Sequence, residues 1–354
     1  MKSWLVRRWK LVINILTLFI LVLLIFFTRH QIVSTLSDLG HVNAVLLILL
    51  IPIEILNYHA QTKIYKGLFK IVGNNLSYKF LYRASLELNF VNHVFPSGGL
   101  TGISYFSLRL RQGKNLGSGK VTMIHLIKII MYVLSFEILL IFGAFSLAIM
   151  GRVNELVVLV VGALSMLIIL MTLGFIFVAG NRSRIDVFMT WLAKTINQLI
   201  HFLRPSSSNE VINISQLKKL FEDFHDTYET LKSNLSEIKQ PFLYSFLADL
   251  TEVAAVYVVY MAFNQYVNVG AIIIAYGIAN FAGLVSVLPG NIGIYEGIMT
   301  VVLAITGIPP GVSLPITIMY RVLNTLIQVP PGYLLYHLAL RKGQVNQEDL
   351  MHGV

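Results

Sequence analysis

Apolar residues run through this chain in long stretches, not in the short alternations of a soluble domain. Leu11–Thr28, Val42–Tyr58, Val121–Met150, Glu155–Ala179, Phe242–Phe263, Gly270–Leu288 and Val312–Leu340 stand out. Each approaches or exceeds the roughly 20 residues that a helix needs to cross a bilayer. Two weaker stretches, Ser85–Leu108 and Ile292–Thr306, are broken by glycine and proline, and Val42–Tyr58 is interrupted by Pro52 and Glu54. The first run follows Lys2, Arg7, Arg8 and Lys10 as a signal peptide would. It is long for the apolar part of one, and no small-residue cleavage site follows, so it is expected to stay as a first transmembrane helix.

The one sizeable polar region lies between residues 180 and 240. Arg204–Asn209 has linker composition. After it, Ile214, Leu217, Phe221, Phe224, Tyr228, Leu231, Leu235 and Ile238 recur at three- and four-residue spacing, which predicts an amphipathic helix over Ile214–Ile238. Its stripe suits packing on the transmembrane body better than a dimerising coiled coil, although a homodimer stays open.

Positive charge then orders the crossings. Basic residues are retained in cytoplasmic loops, so the N-terminus, the segment Lys63–Arg83 and the cluster Arg109, Arg111, Lys114 and Lys120 are all assigned to the cytoplasm. Too few residues separate the last two clusters for two crossings. Ser85–Leu108 is therefore expected to enter and return, bending at Pro96–Gly99. In the second half, Gln265–Val269 and Gly307–Pro310 carry no Lys or Arg and read as external. Gly270–Thr306 between them is expected to turn near Leu288–Gly293. The predicted fold is an all-α polytopic membrane protein with about six spanning helices and two opposed re-entrant helical hairpins in an inverted repeat. The chain reads as one membrane domain over 1–354: a first half 1–180, a cytoplasmic linker 181–240, a second half 241–340 and a short cytoplasmic tail 341–354.

Composition agrees with this. Of 354 residues, 56% are hydrophobic and only 12% are charged, about half the charged share of a soluble domain. There is no cysteine, which excludes disulfides and thiol chemistry, and the nine histidines show no HExxH spacing. The net charge of +10 falls between apolar runs, so it points to topology and anionic phospholipids, with no nucleic acid partner expected. Gly113–Lys120 imitates a phosphate loop, but its first glycine is misplaced and Val121 replaces the required Ser or Thr. No cofactor is expected.

Candidate chemistry gathers at the two hairpin bends. The first bend contains Asn92, Pro96, Gly98, Gly99 and Gly102, and the second Pro289, Gly290, Asn291, Gly293 and Glu296. A helix broken at membrane depth frees backbone groups that must face protein, water or a ligand, and its exposed N-terminus favours an anion. Glycine and proline that merely make the turns are the plainer alternative at each position. Glu54, Lys128, Glu137, Asp249, Glu252, Glu296 and Arg321 are ionisable residues within apolar runs, each costly in hydrocarbon. Arg321, Asn324 and Gln328 form a polar stripe on the last helix, and Asp249 and Glu252 share a face, as do His125 and Lys128. For Lys128, snorkelling to the interface weighs equally with a ligand role, and Asp249 near its helix start reads as an interface residue. Glu296 and Arg321 lie deeper and are the strongest pair.

Asn92 with Pro96-Ser97-Gly98-Gly99 and Gly102, then Leu288-Pro289-Gly290-Asn291-Ile292-Gly293 with Glu296-Gly297, and finally Tyr320-Arg321, occur in that order. On these motifs the chain resembles the flippase-like transmembrane region of the lysylphosphatidylglycerol synthetase (multiple peptide resistance factor) family, in its stand-alone form. The resemblance implies a membrane domain that moves an anionic or aminoacylated phospholipid, such as lysylphosphatidylglycerol, outward and so supports resistance to cationic peptides. It also implies that the family's aminoacyl-transferase domain is absent here, so a separate aminoacyl-lipid synthase or lipid-modifying enzyme is an expected partner. Asn291-Ile292 and Tyr295 stand where the family often has Gly-Leu and Arg. The rival readings are an ion-coupled transporter of a small solute and a membrane partner of a lipid- or polyprenyl-modifying enzyme.

Overall fold

The computed structural model describes residues 42–94, 100–151, 153–188, 190–191, 214–285, 291 and 293–341. The expected Leu11–Thr28 helix and Arg204–Asn209 linker lie outside the described residues. Within them all regular structure is helical. Helices α1 (Ala44–Ile48) and α2 (Leu50–Ile71) precede α3 (Tyr78–Val94), α4 (Leu100–Lys114), α5 (Ser118–Ile149) and α6 (Glu155–Ala179). After them come α7 (Ile214–Ser233), α8 (Leu235–Ala262), α9 (Val269–Val285), α10 (Ile294–Ile305) and α11 (Pro310–Arg341). Five rods among the described residues, α1–α2 together, α5, α6, α8 and α11, are long and apolar enough to cross a membrane. This is a polytopic all-α membrane protein.

The four remaining membrane helices are short. α3 and α4 have 17 and 15 residues, and α9 and α10 have 17 and 12. At 1.5 Å per residue none exceeds about 26 Å, less than the hydrocarbon thickness of about 30 Å. They form the two expected hairpins. Each hairpin packs crosswise, on the helix that follows the other one: α3 lies along α11, and α9 lies along α5. At the middle of the molecule α2 packs along α8, its counterpart in the second half. This cross-exchange makes a single body out of two inverted halves.

Sequence position also sorts the two ends. At one end Leu68, Phe69, Leu76, Leu81, Leu110, Leu116, Val121 and Leu231 share one apolar cluster. Lys66, Lys70, Lys79, Arg111, Lys114 and Lys120 lie close to these residues in sequence. At the other end the Asn43 N–H donates to the Ala262 carbonyl (2.9 Å), Asn154 Nδ2 donates to Ile305 (3.1 Å), and Asn268 Nδ2 donates to Ser146 Oγ (3.1 Å). The molecule has a basic end and an asparagine-rich end without Lys or Arg among its described residues, with one hairpin opening from each.

Three expectations change. Lys63–Arg83 is not a loop: Lys63, Lys66 and Lys70 ride on the last turns of α2, because that helix runs on to Ile71 past the apolar stretch. Arg109 is no loop charge either. It is buried on α4, with its Nε 2.7 Å from Glu87 Oε2 on α3. The amphipathic segment is two helices, since Asn234 departs from helical geometry (φ −117°, ψ 38°) and Leu235 begins α8. Phe224, Tyr228 and Leu231 are buried against the transmembrane body, with Met123, Ala179 and Ile185 among their neighbours, while Leu235 is exposed. From Phe224 to Leu231 the stripe therefore packs on the body.

Candidate polar centre between the hairpins

The first hairpin is locked from inside. Glu87 Oε2 accepts both the Arg109 guanidinium (2.7 Å) and the Tyr105 hydroxyl (2.8 Å), and all three side chains are buried. Removing one member of such a pair strands a buried charge and costs about 3–5 kcal/mol. Glu87 was not among the expected ionisable residues, because Ser85–Leu108 reads as weakly apolar and the acid sits in its first turns.

At the hairpin tips the two halves repeat one device. A Cβ placed on Gly102 would fall on the Asn92 carboxamide, and a Cβ placed on Gly283 would fall on that of Asn291. In each hairpin an asparagine near the bend thus rests on the bare Cα of a glycine in the opposite arm. Asn92 and Gly102, both candidates from the first bend, are thus in contact; Gly283 was not among the candidates. Pro96, Gly98, Gly99, Pro289 and Gly290 lie outside the described residues.

Gly293 has φ +84°, a conformation that glycine tolerates, and it caps α10. Its N–H donates to Glu296 Oε2 at 2.7 Å. The other oxygen of Glu296 lies 3.8 Å from Arg321 Nε. Arg321 stacks over the Tyr295 ring at 4.6 Å and keeps 18% of its side-chain surface, whereas Glu296 keeps 4%. The strongest sequence pair is therefore a spatial pair, and its carboxylate also holds the helix start.

Below Arg321 the polar stripe of α11 joins residues from four other helices. Gln328 Nε2 donates to Asn324 Oδ1 (3.1 Å) and to Glu54 Oε2 on α2 (2.9 Å). Asn89 on α3 donates to Gln328 Oε1 (2.8 Å) and to the Tyr58 hydroxyl. Asn324 Nδ2 donates to the Tyr320 hydroxyl (3.3 Å), which donates to Glu252 Oε2 on α8 (3.4 Å). Asn57 Nδ2 donates to Glu252 Oε1 (3.1 Å) and Thr251 Oγ1 (2.9 Å). Gln61 Nε2 donates to Asn57 Oδ1 (2.6 Å), and Lys128 Nζ donates to Gln61 Oε1 (2.9 Å). Both halves contribute to a continuous polar path through the middle of the molecule.

Lys128 does not snorkel. It is 8% exposed, with Nζ over the rings of Tyr65 (4.7 Å) and Tyr132 (5.1 Å). Two aromatic faces and one amide oxygen hold this cation, at about 0.5–2 kcal/mol per desolvated face. The reason lies in its helix: α5 carries Lys128 three turns inward from Ser118, opposite α2. His125, one turn earlier, accepts or donates to the Tyr65 hydroxyl at 2.7 Å. Asp249 is not an interface residue either, because α8 begins at Leu235 and places it in mid-helix, buried and bonded to Ser135 Oγ. Glu137 stays apart from this path, and its buried Oε2 has no hydrogen-bond partner among the described residues.

Asn57, Gln61 and Asn89 were missed. Glu54, Asn57, Tyr58 and Gln61 recur at three- and four-residue spacing, the same signal that revealed Arg321, Asn324 and Gln328. Among the described residues, no three His, Cys, Asp or Glu side chains converge to hold a metal ion.

Known proteins place this architecture. A UPF0104 membrane protein of Methanocaldococcus jannaschii is 20% identical over 322 residues, 90% of each chain. A UPF0104 membrane protein of Methanothermobacter thermautotrophicus is 30% identical over 104 residues, 28% of this chain. That match spans only 30% of the relative's length. No solved structure matches. The family model described as the lysylphosphatidylglycerol synthase TM region covers residues 11–332. The chain belongs to the lysylphosphatidylglycerol synthase transmembrane-region family.

Proposed function

We propose that this protein moves an anionic or aminoacylated phospholipid between leaflets without ATP, in a cell membrane, with the basic end and both termini cytoplasmic. The observation that carries the reading is the position of Arg321. It lies beside the start of α10, is partly exposed, and has its Nε 3.8 Å from Glu296. Glu296 occupies the place that a substrate anion would take: against an arginine and on the backbone N–H of a helix start. A lipid phosphate entering between the hairpins displaces Glu296 from Arg321 and binds there. The freed carboxylate then faces the amine of an aminoacylated headgroup. Asn92, Gly102, Asn291 and Gly293 line the tips, Asn324 continues the polar track below them, and Lys128 sets its far end. The acyl chains stay in the lipid beside the groove while the headgroup passes.

The resemblance to a family named for lysylphosphatidylglycerol supports that lipid as the first substrate to test. Leaflet-resolved lipid mass spectrometry, with and without the protein, reads it directly. Enrichment of an anionic or aminoacylated phospholipid in the outer leaflet is expected. Identical leaflet compositions would count against the proposal.

A further inference from the structure

The polar centre holds more acid than headgroup binding uses. Glu54 on α2 faces Glu252 on α8 across the junction of the two halves. The path Glu54–Gln328–Asn324–Tyr320–Glu252 links the two acids by a continuous chain of hydrogen bonds. Among the described residues the donors to these acids are neutral: the Gln328 amide for Glu54, and the Asn57 amide with the Tyr320 and Tyr276 hydroxyls for Glu252. Among the described residues, the neighbouring Asp249 receives only the Ser135 hydroxyl.

Charged and titratable neighbours come from each packed element. On α5, Lys128 reaches Glu252 only through the amides of Gln61 and Asn57. On α11, Arg321 is paired with Glu296 of α10 and stacked on Tyr295. Tyr58 on α2 and Tyr276 on α9 face the acids with their hydroxyls. On α3, His93 bonds to the Asn89 carbonyl and Tyr82 packs on Tyr58. Neither acid therefore has a cation within ion-pair distance among the described residues, and a carboxylate pair at membrane depth must be neutralised. A second observation points the same way. The Tyr132 hydroxyl is buried without a hydrogen-bond partner among the described residues and lies near Asp249 and Glu252.

We propose that Glu54 and Glu252 form a proton-binding site, and that release and reloading of its proton accompany each passage of a headgroup past Arg321. Loading forms an O–H bond on a carboxylate with a proton taken from water on one side. Release breaks that bond and returns the proton to water on the other, with no change of oxidation state. Glu252 is the exchanging member, because it is half-buried while Glu54 is enclosed. The site itself rests on the geometry; only its coupling to transport rests on the lipid-translocation reading.

Two measurements on the full chain in phosphatidylglycerol liposomes test the two parts separately. Infrared spectroscopy across a pH titration should show the carbonyl band of a protonated carboxylic acid that disappears as pH rises. The band should be lost in both Glu252→Gln and Glu54→Gln and kept in Glu229→Gln on α7. Both test substitutions keep size and hydrogen bonding, and melting curves show which are folded, so either one suffices. A band absent throughout, or unchanged in the folded variants, overturns the site. An imposed pH gradient should accelerate leaflet exchange of labelled phosphatidylglycerol, and this effect should be lost in Glu252→Gln. Exchange that ignores the pH gradient, or follows a sodium gradient instead, overturns the coupling. No exchange at all defeats the lipid reading, and the infrared result then decides the proton site alone.

Discussion

The Asn92 carboxamide rests on the bare Cα of Gly102, and Asn291 rests in the same way on Gly283 in the opposite hairpin. Two arms that approach this closely leave no room for a methyl group, so side-chain size at the glycine sets the tip geometry. Gly102→Ala should displace Asn92, slow lipid exchange and cost about 1–3 kcal/mol of stability. Combining it with Asn92→Ala should restore the melting temperature but not the exchange. Melting curves and exchange rates of the two variants check this.

The first hairpin should be the stiffer one. Arg109→Ala leaves Glu87 buried without its cation, and a loss of about 3–5 kcal/mol is expected. Replacing both residues by Leu and Met should recover most of it, since a well-packed apolar pair avoids desolvating two charges. Thermal unfolding in detergent compares the three proteins.

Lys128 separates stability from function. Its ammonium is held by aromatic faces and one amide oxygen, with no carboxylate within ion-pair distance among the described residues. Lys128→Met keeps the length and removes a desolvated charge. The variant should melt no lower than the parent while losing exchange. A variant that melts lower and exchanges normally would make Lys128 purely structural.

The absence of cysteine makes orientation simple to read. Lys70→Cys at the basic end of α2 and Tyr266→Cys at the exposed α8–α9 link should react with a membrane-impermeant maleimide from opposite sides. In intact cells Tyr266→Cys alone should label. Labelling of both from one side would contradict the opposed hairpins.

Much of this fold was legible because lipid imposes a length on apolar runs. Val121–Met150 and Glu155–Ala179 match α5 and α6 closely, and counting charge between Arg83 and Arg109 was enough to expect a hairpin. That count worked although Arg109 itself is buried, because Arg111 and Lys114 still mark the basic end. What sequence could not show was which hairpin packs on which helix. The crosswise contacts of α3 with α11 and of α9 with α5 join residues far apart in the chain, as in Asn89 and Gln328. The site was partly legible for the same reason. Glu296 and Arg321 stood out as charges in apolar runs, whereas Asn57 and Gln61 are uncharged and are marked only by their three- and four-residue spacing from Glu54.

The central claim is that a headgroup passes Arg321. The chain and its Arg321→Ala variant are reconstituted in liposomes of several compositions, with phosphatidylglycerol and its lysyl ester labelled in one leaflet. Loss of the guanidinium should cut exchange by about tenfold or more, equivalent to about 1.4 kcal/mol. The melting temperature should be unchanged within the few degrees that about 1 kcal/mol produces. Exchange by the parent chain equal to that of empty vesicles in every composition, or by the variant equal to the parent, would contradict the account.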